Sequence, residues 1–173
     1  MNKADLLIIE VIKLEGGYVN HPHDHGLETK YGISKRSYPS LAIKELTIDE
    51  AIHIYKKDYY RPCKLGLLPP KIQFQILQMV VNIGVPQGIK ILQHSANLTT
   101  SSNIMVDGII GNETIKSIKA IYNNNLINVL FINIMVEQLM YYRKLVSKSN
   151  KQKVFLNGWI NRIHETLKIS SEG

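Results

Sequence analysis

Glu15-Gly16-Gly17-Tyr18-Val19-Asn20-His21-Pro22-His23-Asp24-His25-Gly26-Leu27-Glu28-Thr29-Lys30-Tyr31-Gly32-Ile33-Ser34 is the stretch whose reading decides this chain. Before it, residues 3–15 carry an apolar stripe at helical spacing (Leu6, Ile9, Ile12), and Gly16-Gly17 stops that helix. Within it, Pro22, Gly26 and Gly32 punctuate a loop and a short extended piece, Thr29 to Ile33. Glu15 is therefore left at the end of an apolar helix, beside two glycines that leave room for a bulky ligand. A negative charge at a helix C-terminus opposes the helix dipole by about 0.3–1 kcal/mol, so something other than helix stability keeps it there. Desolvation favours the protonated form of a carboxyl group, which is the state a general acid needs near neutral pH. Cleavage of a glycosidic bond asks for such an acid and usually a second carboxylate across the cleft. Asp24 and Glu28 are the candidates, and the Thr29 hydroxyl can hold a water. Asp24 also reads as an Asx-turn residue and Glu28 as a solvated loop charge.

Working outward, helical signals dominate. Thr47-Ile48-Asp49-Glu50 is a capping box that opens a helix to about Arg61, where Pro62 stops it. Pro69-Pro70 start a helix to about Asn82, closed by Gly84, and Pro86 begins another to about Asn97. The polar stretch Thr99 to Asn103 is the candidate boundary between lobes. After a turn at Asp107-Gly108, helices are expected from about Asn112 to Tyr122, Leu126 to Ser147 and Gln152 to Lys168. This predicts a mainly α protein with a small loop/β segment near its N-terminus, residues 1–98 forming one lobe and residues 99–173 a helical second one.

The 173 residues suit one domain or two small lobes, and 45% hydrophobic with 20% charged residues is globular composition. No apolar run approaches the roughly 20 residues needed to span a bilayer, so stable membrane insertion is not expected. Leu6 to Leu14 lacks the basic flank and cleavage site of a signal peptide. One cysteine, Cys63, excludes an internal disulfide and reads as a buried core residue. The net charge of +7 points to an anionic partner. No nucleic-acid-binding motif accompanies the charge, so nucleic acid is not expected. His21, His23 and His25 alternate as metal ligands can, but no carboxylate or cysteine completes a set.

The series Glu15-Gly16-Gly17-Tyr18, Asn20, Pro22, Asp24, Gly26, Thr29 and Tyr31-Gly32-Ile33-Ser34 resembles the opening motif of glycoside hydrolase family 108. Tyr55, Asp58-Tyr59 and Pro62 are similar to that family's helix ending, and Asn82-Ile83-Gly84 to its later Asn-x-Gly. Leu92-Gln93, Asp107-Gly108-Ile109-Ile110-Gly111 and Thr114 resemble the start of the peptidoglycan-binding lobe that follows. Phe155-Leu156-Asn157-Gly158-Trp159-Ile160-Asn161-Arg162 resembles that lobe's C-terminal signature. The ordered series covers nearly the whole chain. It implies a lysozyme-like fold and an N-acetylmuramidase, with Glu15 as acid and with no metal or other cofactor. Members of the family serve phage lysis or help move proteins, toxins among them, through the cell wall, and the toxin-secretion type is the nearer likeness.

A more distant likeness to phage-type lysozymes implies roles for Asp24 and Thr29. Asp24 would stabilise positive charge on the sugar or activate water, and Thr29 would orient the water. Two departures stand out: Leu27 occupies a position where the family often has glycine, and Gln78 one where it has aspartate. Both favour the alternative of a non-catalytic peptidoglycan-binding module. Tyr18, Tyr31, Asn82, Tyr142, Arg143, Trp159 and Arg162 are the expected substrate-binding residues. Aromatic faces stack on sugars and guanidinium groups grip stem-peptide carboxylates, although Trp159 at helical spacing also suits core packing. The expected partner is peptidoglycan, both glycan strands and stem peptides, met by a monomer made in a cytoplasm and acting in the periplasm or cell wall.

Overall fold

The computed structural model describes residues 1–20 and 28–171, and the chain forms two compact units, Met1–Pro62 and Cys63–Gly173. The first begins with α1 (Lys3–Glu15), which buries Ile8, Val11 and Ile12. A capping box starts it: the Asp5 amide donates to Asn2 Oδ1 at 3.0 Å, and the Asn2 amide to Asp5 Oδ2 at 2.9 Å. The helix stops at Gly16, as the sequence predicts. Three short strands follow, β1 (Val19–Asn20), β2 (Glu28–Lys30) and β3 (Ile33–Ser34), in an antiparallel sheet of order β1-β2-β3. Thr29, in the middle of β2, lies opposite Val19 on one side and Ser34 on the other.

The sequence suggests a single extended piece from Thr29 to Ile33, but the chain reverses within it. Tyr31 and Gly32 take φ values of +55° and +75° and form a two-residue turn between β2 and β3. Two consecutive positive φ angles give the turn the twist that tight hairpins require. The capping box at Thr47 opens α2 (Ile48–Tyr55) as expected, with the Thr47 amide donating to Glu50 Oε2 at 2.8 Å. The predicted helix does not run unchanged to Arg61, because it widens into a π-helical turn over Lys56–Tyr60. The first helix packs on α2 and on this turn, and the Lys56 ammonium pairs with the Asp5 carboxylate. Ile33, Ile43, Leu46, Ala51, Ile52 and Tyr55 are buried in this unit.

The second unit is helical: α3 (Pro70–Ile83), α4 (Val85–Thr100), α5 (Asn112–Asn123), α6 (Ile127–Lys148) and α7 (Leu156–Ser171). The last helix starts four residues later than expected, since Asn150–Phe155 is a 3-10 turn. The fourth packs against α3, α5 and α6, and α7 against α3 and α6. Every residue of α3 from Ile72 to Val80 is buried, three glutamines included. Gln73 Nε2 donates to the Leu68 carbonyl at 2.7 Å, and Gln75 Nε2 donates to the Phe131 carbonyl at 3.0 Å, fastening α3 to α6. Among the described residues, no helix is long and apolar enough to cross a membrane.

Candidate active site

Glu15 is half-buried at the end of α1. The Tyr31-Gly32 turn lies against its side chain. A Cβ placed on Gly32 would meet Glu15 Cγ at 2.9 Å, Glu15 Cβ at 3.2 Å and Tyr55 Oη at 2.7 Å. Glycine is thus required there twice, by space and by a positive φ. Tyr31 is the unusual residue of the pair, because a bulky side chain at positive φ costs about 1–3 kcal/mol. Two hydrogen bonds hold it. Its amide donates to the Gly16 carbonyl at 3.2 Å, and its carbonyl accepts from the buried Tyr55 hydroxyl at 2.9 Å.

A second polar cluster adjoins this one. Tyr38 donates to Asp58 Oδ2 at 2.7 Å. The rings of Tyr55 and Tyr59 are 5.4 Å apart. Burial chiefly, then the hydrogen bond to Asp58, raises the Tyr38 phenol above its ordinary value. Burial also raises Tyr59, and the charges of Asp58 and Glu15 push in the same direction. Both phenols therefore stay protonated and serve as donors near neutral pH. Asp58 and Tyr59 sit on the π-helical turn, a distortion that recurs at functional sites. From sequence, Tyr55, Asp58 and Tyr59 signal only a helix ending. Tyr38 carries no signal at all, because its partner is 20 residues away.

Thr29 is half-exposed and held in register from both sides by the sheet. Glu28 is its strand neighbour, and successive strand residues face opposite ways, so the two cannot share one face. Asp24, together with His21, His23, His25 and Leu27, lies outside the described residues. Among the described residues no group of three or more histidine, cysteine or carboxylate side chains could hold a metal. Tyr18 is exposed directly after the two glycines.

In the second unit, several expected binding residues form one cluster. Tyr142 is fully buried and stacks on Trp159, with ring centroids 4.7 Å apart and planes 14° from parallel. Its hydroxyl accepts from Gln138 Nε2 at 2.9 Å and donates to Asn82 Oδ1 at 2.9 Å. Tyr142 thus has no surface to offer a ligand and instead orients Asn82 and Trp159, which are half-exposed. Arg143 is exposed, and Arg162 is half-buried. The Asp107 to Thr114 motif closes around the buried Gln93. Gln93 Oε1 accepts from the Gly108 amide at 2.9 Å, while Nε2 lies 2.8 Å from Asp107 Oδ1, 3.0 Å from the Ile109 carbonyl and 3.2 Å from Thr114 Oγ1. At φ +86°, Gly108 leaves no space for a side chain, since a Cβ would sit 2.7 Å from the Pro86 carbonyl oxygen.

The family model described as "Glycosyl hydrolase 108" matches residues 8–84. That described as "Predicted Peptidoglycan domain" matches residues 87–164. The fold is similar to that of SagA from Brucella abortus, with a TM-score of 0.74 at 22% identity, covering 98% of this chain and 94% of that one. No curated protein matches the sequence. The first match contains Glu15, the hairpin and Tyr55, and the second contains Gln93 and the Tyr142–Trp159 stack: the chain pairs a glycosyl hydrolase 108 domain over residues 8–84 with a peptidoglycan domain over residues 87–164.

Proposed function

We propose that the protein is an N-acetylmuramidase that hydrolyses the bond from N-acetylmuramic acid to N-acetylglucosamine, with Glu15 protonating the leaving oxygen. The observation that carries this reading is the seat of Glu15. It is half-buried, its stem lies against Gly32, and the hairpin bearing Thr29 is tied to the residue immediately after it. Asp24 serves as the second carboxylate, stabilising the oxocarbenium-like transition state or activating water, and Thr29 orients that water. Tyr18 and Tyr31 line the sugar side. In the second unit, Trp159 and Asn82 meet glycan, while Arg143 and Arg162 meet stem-peptide carboxylates. The enzyme works in the periplasm or cell wall, in protein secretion or phage-type lysis.

The test is turbidity loss and reducing-end release from purified sacculi. Wild type should release muramic acid reducing ends, and Glu15→Gln should lose about 10²–10⁴-fold in rate, the usual contribution of a positioned acid. A wild type that binds sacculi but releases no ends would leave only the non-catalytic binding module, the reading that Leu27 and Gln78 favour. Full activity in Glu15→Gln would remove Glu15 from the mechanism.

A further inference from the structure

We propose that Tyr55 is a positioning residue for Glu15, acting through the Tyr31-Gly32 turn. The inference rests on the reading of Glu15 as the acid. Tyr55 is fully buried, and its hydroxyl donates to a main-chain carbonyl 24 residues away. That carbonyl belongs to Tyr31, whose φ of +55° is a conformation few tyrosines adopt. The peptide is anchored at both ends, to Tyr55 through its carbonyl and to Gly16 through its amide. Because Gly16 directly follows Glu15, the second anchor fixes the turn to the backbone that carries the acid.

Gly32 completes the link. Its α-carbon faces both Tyr55 Oη and the Cβ–Cγ stem of Glu15, so tightly that no side chain fits between them. The wall that confines the Glu15 stem is therefore a glycine whose place is set by the Tyr55 hydrogen bond. A phenylalanine at 55 would fill the same volume and leave the Tyr31 carbonyl without that donor. The strained turn could then relax, and the wall beside Glu15 would move. Catalysis is sensitive to such shifts, since a displacement of about 1 Å can cost a hundredfold in rate.

A purely structural tyrosine and a positioning one make different predictions. We expect Tyr55→Phe to lower kcat on soluble peptidoglycan fragments roughly ten- to hundredfold, with KM within about twofold, when assayed well below its melting temperature. We also expect the Glu15 Cγ methylene signal to move in carbon–proton spectra of ¹³C-glutamate-labelled protein, assigned by its loss in Glu15→Gln. Gly32→Ala, which pushes on the Glu15 stem directly, should show the same kcat-specific loss and provides the test should Tyr55→Phe fail to fold. Folded Tyr55→Phe with wild-type kcat and an unmoved Glu15 signal overturns the proposal. So does a rate loss that only follows the folded fraction, or a folded Gly32→Ala of full activity. If instead wild type cleaves nothing, or Glu15→Gln is fully active, the acid assignment itself fails and this inference falls with it.

Discussion

Single side chains in this protein act at a distance that residue type does not reveal. Gln93 carries a polar amide, yet it is buried and bonds the Gly108 amide, Asp107, the Ile109 carbonyl and Thr114. Gln93→Ala would strand several of these groups without partners. Its expected cost is about 2–4 kcal/mol, measured by urea denaturation. Tyr142→Phe is a gentler change. It keeps the stack on Trp159 and leaves the buried Gln138 amide unpaired, so a loss of about 1–2 kcal/mol is expected, with weaker sacculus binding as Asn82 is freed. Cys63 behaves as its solitary place in the sequence suggests: it is buried, and burial pushes its thiol up to about 12. It should resist thiol reagents until the protein unfolds, a point that Ellman titration in and out of denaturant would check.

Elements differ in how far their own sequence specifies them. The first helix ends where Gly16-Gly17 says it should, and α2 begins at the capping box that Thr47 and Glu50 announce, because both signals are local: a glycine at positive φ in one case and hydrogen bonds between residues three apart in the other. The N-terminal cap of α1 is equally local. Asn2→Ala should destabilise the protein by about 1 kcal/mol, read from thermal unfolding. The β2–β3 hairpin is another matter. Tyr31-Gly32 is not the Asn-Gly or Asp-Gly that marks such a turn, so the extended reading of Thr29 to Ile33 followed from residue preference. The turn forms because Gly16 and Tyr55 hold the Tyr31 peptide from either side. The π-helical turn at Lys56–Tyr60 likewise has no residue signature, and it places Asp58 within reach of Tyr38.

At the scale of the whole molecule, charge sets two behaviours. With a net charge of +7, binding to anionic sacculi should weaken as salt rises, which pull-down across a sodium chloride series would record. Stability should fall in acid. Asp5 is held below its ordinary 3.8 chiefly by the Lys56 ammonium, Asp107 below 3.8 chiefly by Gln93, and Glu50 below 4.5 chiefly by the Thr47 amide. A carboxylate lowered in the folded state stabilises it above the unfolded pKa and loses that effect as pH falls through the folded one. The melting temperature should therefore be flat above about pH 5 and drop steadily below 4.5, with Lys56→Met removing part of the drop. By itself the sequence determined where α1 stops and α2 starts, that the chain is mainly α, and that Glu15 ends an apolar helix, because these rest on contacts within a turn or two of chain. Only the tertiary structure decided that Tyr31-Gly32 turns against Glu15, that Tyr142 is buried behind Asn82, and that Tyr55 and Gln93 each hold a distant loop. Those outcomes depend on pairings 15 to 60 residues apart, and no local pattern encodes which buried hydroxyl or amide will meet which carbonyl.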